Sequence, residues 1–317
     1  MTAGRRHAAF ALGCLLGVLW SSNAWAGDPD VFDPTSTKNL PDIPAPPSIA
    51  DLTHRGTILG VEGTFASTQP KATEVGGELP PRSFVGSLRV SGERNISNRR
   101  WYIGASEEIA YGNPPGPVGG QLVAGYPEVW IRGIWASRVG LAYGGGLGLV
   151  APLFLRKPNS EAAIVAEQVR VVRPWDFVHF DDNKYTFRPF LDARIVDGRV
   201  LFQLRQGFDV QGLVAAARLP DPSFVSRTTL FFAYRPIDEL ALGLELWEIY
   251  FVSAPKLPDG SAFPDDLRAV FSISPSVRWS GKMIQPSVSA IFPFDRPLFA
   301  TVQSYFGARA AIDFVFE

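Results

Sequence analysis

The chain has 317 residues, 30 basic and 31 acidic side chains, 46% hydrophobic residues and one cysteine. A charge balance this close to zero supplies no basic face for nucleic acid, so no nucleic-acid partner is expected. No Gly-rich phosphate loop, paired CxxC or HExxH is present, so no cofactor, metal or catalytic residue is expected either.

Arg5 and Arg6, the apolar run from Ala8 to Trp20 and the small-residue site Ala24-Trp25-Ala26 read as a secretory signal peptide over residues 1–26. Cys14 lies inside it, and Ala11 and Leu12 stand where a lipid-attachment signal would need a leucine and a small residue. Cleavage would leave a chain without thiols, with 28 basic against 31 acidic residues and a net charge of −3. Residues 27–53 are proline-rich and without periodicity, as expected of an extended periplasmic arm, whether a linker, a lumen plug or a partner-binding tail.

From residue 54 to 317 apolar and polar residues alternate with a period of two, the mark of strands with one apolar and one wet face. Strands are expected near 55–66, 82–92, 99–111, 120–135, 138–149, 184–195, 199–210, 226–234, 240–252, 268–279, 283–292 and 304–316. The connections alternate between short ones, such as Ala136-Ser137 and Val196-Asp197-Gly198, and long ones, of which 150–183 is the longest. After the signal peptide no stretch approaches the ~20 apolar residues of a membrane-spanning helix. Trp101, Trp135, Tyr234, Trp279 and Phe316 fall at the short-turn ends on the apolar face, and Phe65, Phe84, Tyr111, Tyr185, Phe208, Tyr250, Phe292 and Phe306 at the other ends. Two aromatic belts separated by aliphatics are what a bilayer's two interfaces select. Glu107 on the apolar face and Pro189, Pro275 and Pro286 within strands break the pattern, which calls for bulges or a different register.

In the last strand Phe306, Ala308, Ala310, Ile312, Phe314 and Phe316 alternate with Tyr305, Gly307, Arg309, Ala311 and Asp313. This resembles the C-terminal strand of bacterial outer-membrane β-barrel proteins, which the outer-membrane assembly machinery recognises through a terminal aromatic; here Glu317 follows it. The resemblance implies an all-β, antiparallel transmembrane barrel of about 12 strands in the bacterial outer membrane, with the lipid bilayer and that machinery as partners. It identifies no subfamily.

On that register the lumen receives Arg89, Arg132, Arg138, Arg188, Arg194, Arg199, Arg205, Arg227, Arg268, Arg278 and Arg309, against Glu62, Glu108, Glu128, Asp192, Asp209, Glu245 and Asp313. An excess of arginine favours small anionic or polar solutes in an open pore, whereas neighbouring opposite charges could equally neutralise one another in a filled barrel. Gly140, Ala142, Gly144, Gly146 and Gly148 leave one wall nearly bare. Ser160–Arg170 predicts a short helix with Ala162, Val165, Ala166 and Val169 on one stripe. Such a helix would either fold inward onto the glycine wall as a constriction or stay outside as a flap. The two histidines of the mature chain, His54 and His179, have no serine at a nucleophile spacing beside them. The DFVHFDD stretch around His179 is expected on an external loop. The expected function is passive diffusion of small polar or anionic solutes through an outer-membrane channel. The alternative is a closed barrel whose extracellular loops bind a partner, and enzymatic function is not expected.

Overall fold

In the computed structural model the described residues are 56–70, 82–97, 100–113, 119–138, 141–216, 223–253, 268–294 and 302–316. The expected signal peptide, the arm over 27–53, His54 and Gly140 lie outside them.

The chain forms β1 (Thr57–Pro70), β2 (Ser83–Ser97), β3 (Trp101–Asn113), β4 (Gln121–Ala124), β5 (Glu128–Arg138), β6 (Leu141–Val150), β7 (Lys184–Asp197) and β8 (Val200–Leu213), followed by β9 (Phe224–Ile237), β10 (Leu240–Phe251), β11 (Ala269–Trp279), β12 (Ile284–Pro293) and β13 (Val302–Phe316). Apart from β4 and β5, which both pair with β3, consecutive strands pair antiparallel, and β1 pairs with β13, so the sheet closes. Closure leaves the twelve-strand ring without an open edge, which hydrocarbon requires because it offers no hydrogen bonds.

The single strand expected over 120–135 is instead two. β4 pairs with Ile109–Gly112 of β3 and β5 with Trp101–Ser106 of the same strand, giving a twelve-strand ring with one extra short strand. The break at Gly125-Tyr126-Pro127 has a cause inside the barrel. Gly125 N still donates to Glu108 O, but Tyr126 N donates to His179 O at 2.7 Å, an inward partner in place of the neighbouring strand.

The ladder also opens where proline interrupts it. Pairing of β7 with β8 skips Arg188 and Pro189, and pairing of β11 with β12 skips Ser274 and Pro275, as expected of residues lacking an N–H. Outward, aromatic rings pack on one another at both ends: Trp101 on Trp135 and Trp135 on Tyr143 at one, Phe84 on Tyr111 and Phe208 on Phe224 at the other. Between them the outward face is exposed and aliphatic, with Val61, Leu88, Leu246 and Val288 among its members.

The long connection after β6 folds into the lumen. It carries α1 (Glu161–Val172) and a 3-10 helix (Pro174–Phe180). Ser160 caps α1 by accepting from Ala163 N at 3.3 Å. Val165, Ala166 and Val169 are fully buried with Ala66, Val85, Ala110 and Val123 of β1 to β4, and Ala162 packs beside them. Trp175, Phe177 and Val178 cross to the opposite wall, meeting Val225, Trp247, Ile249, Val270 and Ile291 of β9 to β12. One segment therefore bridges both sides of the long-loop end as a plug.

The apolar stripe of α1 thus faces inward, but its partner is not the glycine wall. A side chain at Gly112 of β3 would meet Val165 and Gln168, whereas one at Gly146 would meet Phe190 and Arg132, and one at Gly148 Glu128 and Arg188. Gly146 and Gly148 make room for bulky side chains of the neighbouring strands. Gly146→Val places its Cβ 2.5 Å from the Ile131 carbonyl and 2.8 Å from Arg132 Cβ, an overpacking expected to cost about 1–3 kcal/mol. A lowered temperature for loss of the compact, heat-modifiable gel band would register it; an unchanged temperature would show that the wall can yield.

Candidate functional site: the plugged lumen

Alternation along each strand delivers charged side chains to the lumen, and the plug meets them at mid-height. Across β1, β2 and β3, Glu62, Arg89 and Glu108 stand in one row, because Glu62 pairs with Arg89 and Arg89 with Glu108 in the register. Arg173 of the plug reaches Glu62 at 3.3 Å and also engages Glu108 and Ser87. Three residues on, the Asp176 carboxylate is gripped at both oxygens: Arg89 donates to Oδ2 at 2.7 Å and Arg188 to Oδ1 at 3.2 Å. Arg188 also donates to Glu128 at 2.8 Å and to Asp209 at 3.1 Å, and Arg227 shares Asp209 at 2.9 Å. Arg309 holds Glu245 at 2.5 Å.

His179 completes the network. Its Nδ1 lies 2.7 Å from Tyr126 O, and its Nε2 lies 3.3 Å from Asp176 and 3.6 Å from Glu128. Burial opposes charge on every member of the plug, and the outcomes differ with the partners. Asp176 is driven upward by burial yet held well below its ordinary range by His179, Arg89 and Arg188. Burial alone would lower His179, but Asp176 and Glu128 raise it. Burial lowers Arg173 despite Glu62 and Asp176. Glu108, Asp176 and His179 bring one ligand atom each to within 4.8 Å of one another, a spacing compatible with a cation. Arg89, Arg173 and Arg188 already pair the two carboxylates, so the trio is an ion-pair cluster.

Below this level, Arg132 donates to Glu93 at 2.7 Å and stacks over Tyr102, while Arg205 chelates Asp192 at 2.8 and 2.9 Å and stacks over Phe190. Arg194 and Arg278 are buried nearby, the latter over Phe231. Arg268 lies at the long-loop end just before β11, where its carbonyl accepts from Phe251 N. Arg199 is not in the lumen: it is exposed at the short turn, donating to Pro236 O at 2.7 Å. The side chain of Arg138 lies outside the described residues.

Several residues of the site were not expected from the sequence. Arg173 and Asp176 belong to a loop that alternation does not reach, and the DFVHFDD stretch is buried inside the barrel instead of external. Arg156 pairs with Asp182 at 3.0 Å, packs over Tyr126 and caps Ala124 O at the unpaired edge of β4. Tyr126 accepts from Asn183 N at 3.1 Å. The signal was present in the density of charge and aromatics over 173–183, unusual for a solvated loop.

No family model matches the chain, and no curated protein is similar in sequence. Among solved structures, the COG4313 outer membrane channel from Pseudomonas putida F1 superposes with a TM-score of 0.57 at 14% identity, over 86% of this chain and 99% of that one. The NanC porin gives 0.47 at 10% identity over 81% and 98%. The KdgM porin, solved in complex with disordered oligogalacturonate, gives 0.44 at 9% over 81% and 99%. Closed ring, paired aromatic belts and the likeness to the COG4313 channel agree: the chain has the fold of an outer-membrane β-barrel.

Proposed function

We propose that the protein is an outer-membrane channel through which small polar or anionic solutes diffuse passively, with the inward loop as its gate. The observation that carries this is the source of the counter-charges at mid-lumen. Arg89 and Arg188 are met there by Asp176 of the loop, in addition to Glu128 and Asp209 of the wall. A barrel needing only a filled interior could pair its wall charges with one another, as Arg205 and Asp192 do. A segment that inserts opposite charges into a wall can also withdraw them, exposing an arginine-bearing passage.

The second reading, a permanently closed barrel with its outer loops as a binding surface, draws support from the burial of Arg132, Arg194 and Arg278, each no more than 3% exposed. Planar-bilayer recording of the purified mature chain under a salt gradient separates them. Discrete conductance steps are expected, and the reversal potential reads the charge preference of the passage. A bilayer that stays silent across voltage and pH would favour the closed barrel.

A further inference from the structure

The plug inserts two opposite charges, three residues apart, into two wells of opposite sign. Arg173 occupies an acidic well made by Glu62 of β1 and Glu108 of β3. Asp176 occupies a basic well made by Arg89 of β2 and Arg188 of β7, with one guanidinium on each carboxylate oxygen. The wells touch, because Arg89 stands between Glu62 and Glu108 in the strand register, and neighbouring strands are only ~4.8 Å apart. All of these groups are largely buried: Glu62, Glu108, Arg173, Asp176 and Arg188 are each no more than 6% exposed.

We propose that this pair of wells is a binding site for a compact zwitterion, an α-amino acid or similarly dipolar solute, and that Arg173 and Asp176 are its tethered competitors. This rests on the channel reading above and narrows its solute class. The chemistry of each well fixes its guest. Two guanidiniums from different strands grip one planar carboxylate at both oxygens, and two carboxylates flanking a single position accept several N–H donors from one ammonium or guanidinium. Charge count argues for a dipolar guest over a simple anion. Without the plug, the mid-lumen wall holds Arg89, Arg188, Arg227 and Arg309 against Glu62, Glu108, Glu128, Asp209 and Glu245. An anion alone would add a sixth negative group against four guanidiniums and leave Glu62 and Glu108 to share Arg89 between them. A solute whose ammonium and carboxylate are separated by one carbon can reach both wells.

Trp175, adjacent to Asp176 and 4.5 Å from Trp247 between ring centroids, reports on plug displacement by its fluorescence. The detergent-solubilised full chain is titrated with glycine, acetate, methylammonium and inorganic phosphate, and Trp175→Phe identifies the signal. Glycine is expected to shift the emission at a concentration at least tenfold below acetate or methylammonium. Asp176→Asn, which removes the tethered carboxylate, should lower the glycine concentration required by a further tenfold. Glu62→Gln should abolish the preference for glycine over acetate while a response to acetate persists, which also shows that the variant is folded. Acetate or phosphate acting as well as glycine would reduce the site to a simple anion site and overturn the proposal. So would an unchanged emission with every probe in both the native chain and Asp176→Asn. Fluorescence and conductance fail separately: a silent bilayer with a glycine-selective shift removes the channel and keeps the site, and a conducting channel indifferent to glycine does the reverse.

Discussion

A disulfide between Gly112→Cys and Val165→Cys is expected to lock the channel shut, with openings at least ~10-fold rarer until a reductant is added, because the crosslink removes the withdrawn state from the equilibrium. The positions are chosen on geometry. A Cβ built at Gly112 lies 2.7 Å from Val165 Cγ1, within the separation a disulfide spans once valine's methyl is replaced by sulfur. Gly112 is on the lumen face of β3 and Val165 is fully buried on α1, so the bond would pin the helix to the wall without entering the ion-pair network. No other thiol competes, since the only native cysteine lies in the expected signal peptide. The readout is single-channel opening frequency before and after dithiothreitol, with mass spectrometry confirming the bond. Equal conductance in the oxidised and reduced forms would show that current passes beside the docked plug, and the loop would then be a fixed constriction. Failure of the bond to form would place α1 away from β3.

The difference between what the sequence made legible and what it did not has a physical origin. A strand's side chains point alternately to two solvents, so Val200, Phe202, Leu204, Phe208 and Val210 report one face of β8 and Gln203, Arg205, Asp209 and Gln211 the other. The same rule puts Glu62, Arg89, Arg188, Asp209, Glu245 and Arg309 on the polar face, and all but Arg89 are buried. Alternation fails where the chain stops being a strand. Arg199 continues the odd-numbered series of β8 but stands at the turn, one residue before the strand begins, and so points away from the lumen.

The plug was partly legible. An apolar stripe at helical spacing, Ala162, Val165, Ala166 and Val169, implies a surface to cover, but periodicity names no partner. The bare residues Gly144, Gly146 and Gly148 suggested one wall, yet small residues also arise where neighbouring side chains need room, as Phe190, Arg188 and Glu128 do here. The break between β4 and β5 was invisible for a related reason. Tyr126 fits the alternation locally, and it leaves the ladder because its backbone finds His179, a contact between residues 53 apart in sequence.

Raising the pH is expected to open the proposed gate by acting on His179. The argument begins with hydrogen-bond polarity. His179 Nδ1 faces the Tyr126 carbonyl at 2.7 Å, and a carbonyl oxygen can only accept, so Nδ1 carries a proton. Nε2 faces the Asp176 and Glu128 carboxylates at 3.3 and 3.6 Å, also acceptors when ionised, so the docked ring is best satisfied as imidazolium. The surrounding charges agree: Asp176 on its own helix, Glu128 of β5 and Glu107 and Glu108 of β3 favour the cation, against Arg89 of β2, Arg188 of β7 and Arg173. The docked value is raised in spite of burial. A group whose docked value exceeds its free value contributes fully at low pH, below about 6.5 for an exposed histidine. That contribution is lost as pH climbs through the raised docked value. Within that window each pH unit changes the docked-to-withdrawn ratio by about tenfold, so openings should become more frequent from neutral to alkaline pH. His179→Gln, which cannot titrate, should flatten the profile, while His54→Ala should leave it intact. Nitrogen-15 shifts of the labelled ring provide a reading independent of current, with both nitrogens expected to keep their protons to a higher pH than in a free histidine. A ring that turns neutral no later than a free histidine, or a pH profile that survives in His179→Gln, would remove the histidine from the gate and leave the Arg89 and Arg188 grip on Asp176 as the hold that keeps the plug in place.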